Sequence, residues 1–366
     1  MNNSIGERKA DHIEICLEED VQARKATTGF EDVSLVHKAL PEIELKKIDL
    51  STTVFGYKFS APLFVGAMTG GTAKALKINA AIAEAVEELN IGMGVGSQRV
   101  AIDNPKLERS FSVVREKAPT AFILANIGGP QLVGKYGVKE AKKAVEMVNA
   151  NALAIHLNAL QEAVQPEGET DYSGLISKIG EIAQALEVPV IVKETGAGIA
   201  AEEAKLLEEA GVAGIDVSGV GGTSWAAVEY YRAKRRQDEF RQRLGETFWD
   251  WGIPTAISLV EAVKSVSIPV IASGGICQGI DIAKASALGA SLVSVASPTL
   301  RPATKGSKEV KKTLQFLIGE VRNSMFLVGA DSLQKLQKVP VVLTGKTAEW
   351  LRARGFKPEL YARRKA

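Results

Sequence analysis

The hydrophobic pattern of the chain repeats eight times: a short apolar, β-branched run is followed by a segment with helical spacing. None of the runs alternates cleanly between apolar and polar residues, which is typical of parallel strands covered on both faces. The pattern therefore predicts eight buried parallel strands. Their predicted bounds are 62–67, 91–96, 121–126, 152–157, 189–193, 214–218, 269–273 and 291–296.

The segments between these runs carry apolar residues three or four positions apart. This spacing predicts amphipathic helices over 72–89 and 174–186, and a further helix over 201–210 that Gly211 ends as a C-cap. Eight strand–helix units in one chain predict an α/β fold, a closed (β/α)₈ TIM barrel. An open doubly wound sheet is the alternative, and the lack of a GxGxxG motif after the first strand weakens it.

Residues 1–366 are predicted to form a single domain with two segments outside the repeat. Residues 1–60 form an N-terminal extension, and residues 219–256 form a long insertion after strand six. A connection of that length is usually functional or mobile. The insertion contains an Arg-rich run at 232–243, which is typical of a solvated helix face, and from about Ser307 the chain is predicted to add further helices.

Composition narrows the function without defining it. Hydrophobic residues make up 46% of the chain, and 45 basic residues against 43 acidic ones argue against a general nucleic-acid binder. Two cysteines, Cys16 and Cys277, are too few for a disulfide framework and fit a reducing cytoplasm. The polar N-terminus and the lack of an apolar run of ~20 residues predict neither a signal peptide nor a membrane span.

The active site of a TIM barrel lies where its strands end and the βα loops begin. Small or hydrogen-bonding residues stand at seven of the eight predicted strand ends. They are Ala67, Met68, Thr69, Ser97, Gln98, Arg99, Asn126, His156, Asn158, Lys193, Ser218, Gly274 and Gly275, with Gln161 and Glu162 shortly after strand four.

Two features at these ends favour a bound anion. Gly274 and Gly275 after strand seven, with Ala296 and Ser297 after strand eight, predict a phosphate site, because loops at this position commonly bind phosphate through backbone N–H groups. A simple tight turn is the alternative for the glycines. Lys193 ends an apolar strand and needs an anionic partner, either a flavin N1–C2=O edge or a carboxylate such as the adjacent Glu194.

Other candidates stay open on the residues alone. Arg8, Lys9 and His12 form a basic cluster, for which a solvated tail is the simpler interpretation. Glu162 is suited either to capping a helix or to holding Mg²⁺ on substrate phosphates. His156 is as readily a satisfied core histidine as a functional one. The tryptophans Trp225, Trp249 and Trp251 suit a lid or an oligomer contact equally well.

Taken together, these stretches resemble the type 2 isopentenyl-diphosphate isomerases. The RKxxH pattern at 8–12 combined with HLNALQE at 156–162 is the specific part of the resemblance, whereas SGGI followed by ALGA is shared by several FMN barrels. The other similar stretches span nearly the whole predicted barrel. They are GAMTGGT at 66–72, GVGSQR at 94–99, VKETGAGI at 192–199, DVSGVGGTSWAAVE at 216–229 and SGGICQGIDIAKASALGA at 273–290.

The resemblance implies an FMN enzyme that interconverts isopentenyl and dimethylallyl diphosphate in isoprenoid biosynthesis. It implies reduced FMN, Mg²⁺, NADPH as reductant, and a homo-oligomer, a tetramer or an octamer. Such a reaction adds a proton at one carbon and removes one from another through a carbocation-like species, so the site must be dry. An electron-rich reduced flavin can stabilise that charge and exchange a proton at N5.

The resemblance also assigns roles to residues, while Cys277 departs from it by standing where related FMN barrels often have Arg. Gln161, Glu229 and Trp225 would be catalytic, and Glu162 would hold the metal. FMN would contact Ala67, Met68, Thr69, Ser97, Asn126, Lys193, Ser218, Thr223, Gly274, Gly275, Ile276, Ala296 and Ser297. The substrate would contact Arg8, Lys9, His12, Ser97, Gln98, Arg99, His156, Asn158 and Gln161.

Two other functions compete with this one. Another FMN barrel, an oxidoreductase acting on a small anionic substrate such as a 2-hydroxy acid, would need a histidine base near the end of strand six, where this chain reads DVSGVGGTS. A barrel that binds phosphorylated ligands without chemistry is the second competitor. Lys193 and the Gln161–Glu162 pair argue against it modestly.

Overall fold

The structure is a computed structural model that describes residues 3–365, with side chains from Arg8 onward. Its strands are β1 (Val33–Leu35), β2 (Thr52–Val54), β3 (Tyr57–Phe59), β4 (Leu63–Val65), β5 (Gly92–Gly94), β6 (Phe122–Gly128), β7 (Ala152–His156), β8 (Val190–Lys193), β9 (Gly214–Asp216), β10 (Val270–Ala272), β11 (Leu292–Val295) and β12 (Val341–Leu343).

The α-helices lie mainly between the strands and around them. They are α1 (Asn3–Glu18), α2 (Ala73–Leu89), α3 (Arg99–Asp103), α4 (Arg109–Lys117), α5 (Gly129–Gly134), α6 (Val138–Val148), α7 (Ala159–Val164), α8 (Leu175–Ala185), α9 (Ala201–Glu209), α10 (Trp225–Arg235), α11 (Glu239–Thr247), α12 (Thr255–Ser265), α13 (Gly279–Leu288), α14 (Ser297–Ala303), α15 (Ser307–Leu327), α16 (Leu333–Leu336), α17 (Gly345–Ala353) and α18 (Glu359–Ala362).

Strands β4 to β11 pair in parallel and close into a barrel, with β11 hydrogen-bonded to β4. Each barrel strand begins within its predicted run, and β6 extends two residues past its predicted end. The TIM-barrel prediction is therefore confirmed, and the open doubly wound alternative is wrong because the first and last strands pair with each other. The helices predicted over 72–89, 174–186 and 201–210 are α2, α8 and α9.

Aromatic side chains close the amino-terminal end of the barrel. The antiparallel hairpin β2–β3 brings Phe55, Tyr57 and Phe59 against Phe122, which is buried at the start of β6. The ring centroids of Phe59 and Phe122 lie 5.3 Å apart. The hairpin also explains Gly214 in β9, since a Cβ there would lie 2.6 Å from Phe55. This plug leaves the carboxyl ends of the strands as the open end.

The N-terminal extension and the insertion meet above that open end. Ile15 and Val21 from the extension pack with Ala227, Val228 and Trp249 from the insertion in a small separate apolar cluster. Helix α1 thereby lies against α10, and its polar side faces the barrel mouth. The two segments outside the strand–helix repeat thus form one cover.

The C-terminal part of the chain wraps the barrel from outside. It contains the helices predicted from about Ser307 together with a strand that the apolar pattern missed, since β12 pairs antiparallel with β1. Glu261 of α12 is buried and accepts hydrogen bonds from Trp350 and Arg354 of this region. Within residues 3–365, each helix is too short or too polar to cross a membrane.

Truncation of the aromatic plug should destabilise the fold. Phe122→Ala should lower the free energy of unfolding by about 3–5 kcal/mol, because it removes a fully buried ring from a packed cluster. Phe316→Ala is the matched control: its ring lies on α15 and is 68% exposed, so a change within about 0.5 kcal/mol is expected. Urea unfolding followed by circular dichroism measures both, and equal midpoints would contradict the role of the plug.

Candidate active site

A cavity of about 290 Å³ lies at the carboxyl end of the barrel, under the cover formed by the extension and the insertion. Most of the residues singled out from the sequence line it, although they come from nine separate stretches of the chain. They are Arg8, Lys9, His12, Ala67, Met68, Thr69, Ser97, Arg99, Asn126, His156, Asn158, Gln161, Glu162, Lys193, Ser218, Thr223, Trp225, Gly274, Gly275, Ile276, Ala296 and Ser297.

Gln98 is the exception on the substrate side. Its side chain is fully buried, its amide donates to the Ala144 carbonyl at 2.8 Å, and its Oε1 accepts the Asn126 backbone N–H at 2.8 Å. Gln98 is therefore placed to support the end of β6 rather than to contact a ligand, which corrects its assignment to substrate binding. Its neighbours Ser97 and Arg99 do line the cavity.

The cavity is rich in buried positive charge. Lys9 donates to the Ser97 carbonyl at 2.5 Å, and burial together with the neighbouring Arg8 lowers the pKa of Lys9 to about 7. Burial, then the charge of Arg232, also lowers the pKa of Arg8. Among the side chains from Arg8 onward, neither Arg8 nor Lys9 has a carboxylate within ion-pair distance. The solvated-tail interpretation is wrong, because α10 holds this helix over the barrel mouth.

Arg99 completes the basic group in the cavity lining. Its guanidinium lies 2.5 Å from Glu169, whose other carboxylate oxygen accepts a hydrogen bond from Gln131 at 2.6 Å. Glu169 follows α7 and was not singled out from the sequence, because nothing in its local pattern separates it from a solvated loop carboxylate. It holds Arg99 at the cavity wall without neutralising Arg8 or Lys9.

His156 is both a satisfied histidine and a lining residue. The Asn126 amide donates to the Val95 carbonyl at 3.1 Å, so its Oδ1 is the acceptor for Nδ1–H of His156 at 2.8 Å. Burial, then the charges of Lys193 and Lys9, lowers the pKa of His156 to about 3. The free imidazole is therefore neutral, with Nε2 left as the acceptor.

Lys193 ends β8 and is buried in the cavity floor. Its ammonium donates to the backbone carbonyl of Glu194 at 2.6 Å, while the Glu194 carboxylate instead accepts backbone N–H groups from residues 195–197. The predicted alternative of an ion pair with the Glu194 carboxylate is therefore wrong. Asp216, missed from the sequence, is in register with Lys193 on β9 and accepts a hydrogen bond from Ser273.

Gly274 and Gly275 are more than a tight turn. Their φ angles are +103° and +71°, and a Cβ on Gly275 would lie 2.5 Å from the carbonyl oxygen of Gly221. A larger residue would therefore push the start of the insertion away from the barrel. The backbone is exposed to the cavity beside Ser297, at the start of α14 after β11.

Gln161 is held in place by hydrogen bonds at both ends of its side-chain amide. Its Oε1 accepts from Asn158 at 3.1 Å, and its amide donates to the buried Glu229 at 3.1 Å. His12 also binds Glu229, at 3.0 Å, and packs edge-to-face on Trp225 with ring centroids 5.2 Å apart. Glu229 lies just behind the cavity lining, whereas Gln161 and Trp225 belong to it.

Glu162 is buried and fully hydrogen-bonded. Its carboxylate accepts from Asn158 at 2.8 Å, from the backbone N–H of Glu169 at 2.7 Å and from Gln165. Over residues 3–365, no cluster of three or more His, Cys, Asp or Glu side chains is arranged to hold a metal. A metal ion at Glu162 would therefore take its remaining ligands from water and phosphate, which is the usual way in which proteins bind Mg²⁺.

The Arg-rich run departs from its sequence interpretation at one position. Arg232 is 1% exposed and ion-paired to Glu229 at 2.5 Å and to Glu167 at 3.2 Å. The exposed Arg235 and Arg243 agree with a solvated helix face. The i, i+3 spacing of Glu229 and Arg232 is the one signal in the sequence that favours burial of this arginine.

A closed parallel barrel with glycine turns and a buried lysine at its carboxyl end is the frame of an FMN-barrel enzyme. The sequence pattern of the FMN-dependent dehydrogenases matches residues 1–104 and 143–342, and the chain belongs to this family. Within it, the chain belongs to the isopentenyl-diphosphate delta-isomerases. The relative from Methanosarcina barkeri is 52% identical over 362 residues, covering 99% of this chain and 98% of that protein.

Other relatives agree. The isopentenyl-diphosphate delta-isomerase of Pyrococcus furiosus is 53% identical over 355 residues, covering 95% of this chain and 89% of that protein. Among solved structures, a mandelate oxidase variant with 2-hydroxy-phenylacetamide superimposes with a TM-score of 0.62 at 18% identity, covering 94% of this chain and 98% of that one. A flavocytochrome b2 variant with sulfite bound superimposes with a TM-score of 0.66 at 18% identity, covering 94% of this chain and 84% of that one. These two show the shared fold alone.

The lowered pKa of Lys9 predicts a pH-dependent anion site. Affinity for inorganic diphosphate should be full below pH 7 and should fall above it, by roughly 10- to 100-fold, as Lys9 loses its proton and one charge-assisted contact. Lys9→Arg should keep its charge and flatten this fall. Calorimetric titrations at pH 6.5 and pH 9 measure both proteins, with Lys178→Arg on the exposed face of α8 as control. Equal pH slopes for Lys9→Arg and wild type would refute the role of Lys9.

Proposed function

We propose that this chain catalyses the interconversion of isopentenyl diphosphate and dimethylallyl diphosphate with reduced FMN. The observation that carries the proposal is one cavity whose lining combines the cations Arg8 and Lys9 with Lys193 at the end of β8 and with Gln161. The names of relatives that are about half identical over nearly the whole chain support the same reaction.

The residues of the floor fit a flavin. Backbone N–H groups at Gly274, Gly275 and Ser297 would hold the phosphate, because the glycine turn lets a ligand approach the backbone closely. Lys193, whose ammonium binds a backbone carbonyl and none of the described carboxylates, would lie at the N1–C2=O edge of the ring. Ala67, Met68, Thr69, Ser97, Asn126, Ser218, Thr223, Ile276 and Ala296 would complete the contacts.

The basic wall fits the diphosphate. Arg8, Lys9 and Arg99 would bind its oxygens, with Ser97, His12 and Asn158 close by. Binding an anion would raise the pKa values that burial depresses in Lys9 and His156, so a contact from Nε2 of His156 would carry a proton taken up on binding. Glu162 would bind Mg²⁺ that bridges to the diphosphate.

The hydrocarbon end of the substrate would lie between Gln161, Trp225 and the flavin. Reduced FMN, when bound, supplies an electron-rich ring and an exchangeable proton at N5. Gln161 would orient the double bond, since a neutral amide has no accessible pKa near neutrality. Trp225 would exclude water from the carbons, and Glu229 would hold Gln161 in place.

Several finer features of this proposal rest on the family resemblance. They are NADPH as the reductant, a cytoplasmic location, and a homo-oligomer, a tetramer or an octamer. Phe240 and Trp251 on the insertion are exposed apolar side chains that a contact between copies of the chain would cover. The two unpaired cysteines support the reducing compartment.

The competing oxidoreductase lacks the histidine base that it needs near the end of strand six. Oxidation of a 2-hydroxy acid needs a group that takes the hydroxyl proton, and the histidines that line the cavity are His12 and His156. His12 lies on α1 and His156 ends β7, so neither stands at that position. Similarity to the mandelate oxidase therefore extends to the fold alone.

The function is tested with the FMN-loaded protein and purified isopentenyl diphosphate. The isomer should form only after the flavin is reduced with dithionite, and deuterium from D₂O should enter the substrate. Gln161→Ala should lower kcat by about 100-fold or more at an unchanged Kd for the diphosphate, because its contact matters mainly in the transition state. Gln315→Ala, on an exposed face of α15, is the control. Exchange at the wild-type rate in Gln161→Ala would remove Gln161 from the chemistry.

Loss of the lysine charge should act on the flavin itself. Lys193→Ala should weaken FMN binding and make its reduction potential more negative, because a positive charge beside N1 stabilises the anionic reduced ring. Fluorescence titration and a redox titration measure the two quantities, with the exposed Lys178→Ala as control. Unchanged affinity at an unchanged potential would place the lysine away from the ring.

The metal assignment predicts a shift in the Mg²⁺ requirement. Glu162→Gln should move the Mg²⁺ dependence of the isomerase rate to higher concentration, since a neutral amide is a poorer ligand for this hard cation. Glu167→Gln, five residues along and ion-paired to Arg232, controls for the loss of a nearby negative charge. An identical Mg²⁺ titration curve in Glu162→Gln and wild type would refute the assignment.

A further inference from the structure

Arg232 is an arginine buried in the cover of the active site, and no step of the proposed reaction uses it. It lies in the last turn of α10 with its side chain 1% exposed. Its Nη1 donates to Oε2 of Glu229 at 2.5 Å, and its Nη2 donates to Oε1 of Glu167 at 3.2 Å. An arginine is almost never fully buried unless it is paired, and these two carboxylates provide the pairing.

The ion pair is one end of a chain of hydrogen bonds that reaches the cavity. Glu229 receives Arg232 on Oε2, which leaves Oε1 to accept from His12 at 3.0 Å and from Gln161 at 3.1 Å. Gln161 in turn accepts from Asn158 at 3.1 Å. An ionised Glu229 offers acceptors alone, so the Gln161 amide must turn its nitrogen toward it.

We propose that Arg232 is a positioning residue for the reaction: by binding Oε2 it keeps Glu229 ionised and in place, and Glu229 then fixes the orientation of the Gln161 amide toward the substrate. This inference rests on the proposed isomerase function. A protonated Glu229 would instead offer an O–H donor, and the Gln161 amide could then flip to turn its oxygen toward it. The substrate would meet the wrong end of the amide.

The charged groups around Glu229 determine the direction in which the pKa of its carboxyl is shifted. Helix α1 contributes His12 and Arg8, helix α10 contributes Arg232, and α7 contributes the neutral Gln161. Burial opposes ionisation of Glu229, but the hydrogen bond from His12 and the charge of Arg232 lower the pKa of this carboxyl on balance. Asp11 and Glu167 face Arg232 and limit its effect without contacting Glu229.

A purely structural role is the main rival. Arg232 also joins α1 and the loop after α7 through Asp11 and Glu167, so its loss could simply loosen the cover. That rival predicts weaker binding of the diphosphate, because Arg8 and Lys9 are on α1, and an unaltered pH profile. The positioning role predicts the opposite: an unchanged KM, a lower kcat and a moved profile.

The experiment measures isomerase kinetics of the holoenzyme with reduced FMN from pH 5 to pH 9. In Arg232→Gln, kcat should fall about 10- to 100-fold at pH 7 with KM unchanged, the loss typical of one charge-assisted hydrogen bond. Glu229 is active when ionised, so loss of the neighbouring positive charge raises its pKa. The acidic limb of the profile should therefore move to higher pH by about 1–3 units. Arg232→Lys should restore much of the wild-type kcat and bring the acidic limb back toward its wild-type position. An acidic limb that does not move in Arg232→Gln would overturn the proposal.

Two further variants make the result specific. Arg243→Gln, the same substitution at an exposed position of the same Arg-rich run, should leave kcat and the profile at wild type. The double variant Arg232→Gln/Glu229→Gln should lose no more kcat than Glu229→Gln alone, because Arg232 acts through Glu229. Additive losses would mean that Arg232 acts independently and would overturn the proposal.

A crystal structure of Arg232→Gln separates this inference from the proposed function. If wild type with reduced FMN does not isomerise the substrate, the proposed function fails. The role of Arg232 is then tested by the positions of Gln161 and Glu229 in the variant. The contact between Gln161 and Glu229 should then be lost or reversed in the variant. An intact contact with the wild-type geometry would overturn the positioning role. The crystal structure also serves if Arg232→Gln proves too unstable for kinetics at the pH extremes.

Discussion

Positive charge buried without a matching carboxylate governs this site. Arg8, Lys9 and Lys193 all line one cavity, and among the described residues Lys9 and Lys193 donate to backbone carbonyls rather than to carboxylates. Each buried cation costs free energy until an anion arrives, which is why burial lowers the pKa of Lys9 to about 7. The packing of the fold offsets this unfavourable free energy, and a bound anion would reduce it.

The carboxylates near the cavity bind hydrogen-bond donors of the protein instead of neutralising these cations. Glu162, Glu194, Asp216 and Glu229 are all buried close to the cavity, and each already accepts hydrogen bonds from the protein. The donors of Glu229 lower the pKa of its carboxyl on balance, whereas burial outweighs the donors of Glu194 and Asp216 and raises their pKa values, that of Glu194 to about 7. All four carboxylates thus belong to the hydrogen-bond network that orients the side chains around the cavity.

Two segments outside the strand–helix repeat make the site complete. The extension supplies Arg8, Lys9 and His12, and the insertion supplies Trp225 and Glu229. Neither segment can present these side chains alone, since each packs its apolar face on the other in the cluster around Trp249. In the proposed function, the same contact would cover the carbons of the substrate and hold Arg8 and Lys9 in place, so that one packing interface would serve both the exclusion of water and the binding of the anion.

The pattern of apolar runs determined the barrel, and with it which strand ends share one edge. That edge followed from local periodicity and from the rule that parallel strands end on the same side. Only the tertiary structure decided the role of Gln98, which turns away to support Asn126, the burial of Arg232, and the partner of the Lys193 ammonium. These depend on side-chain direction and on residues distant in the chain, and periodicity carries information about neither.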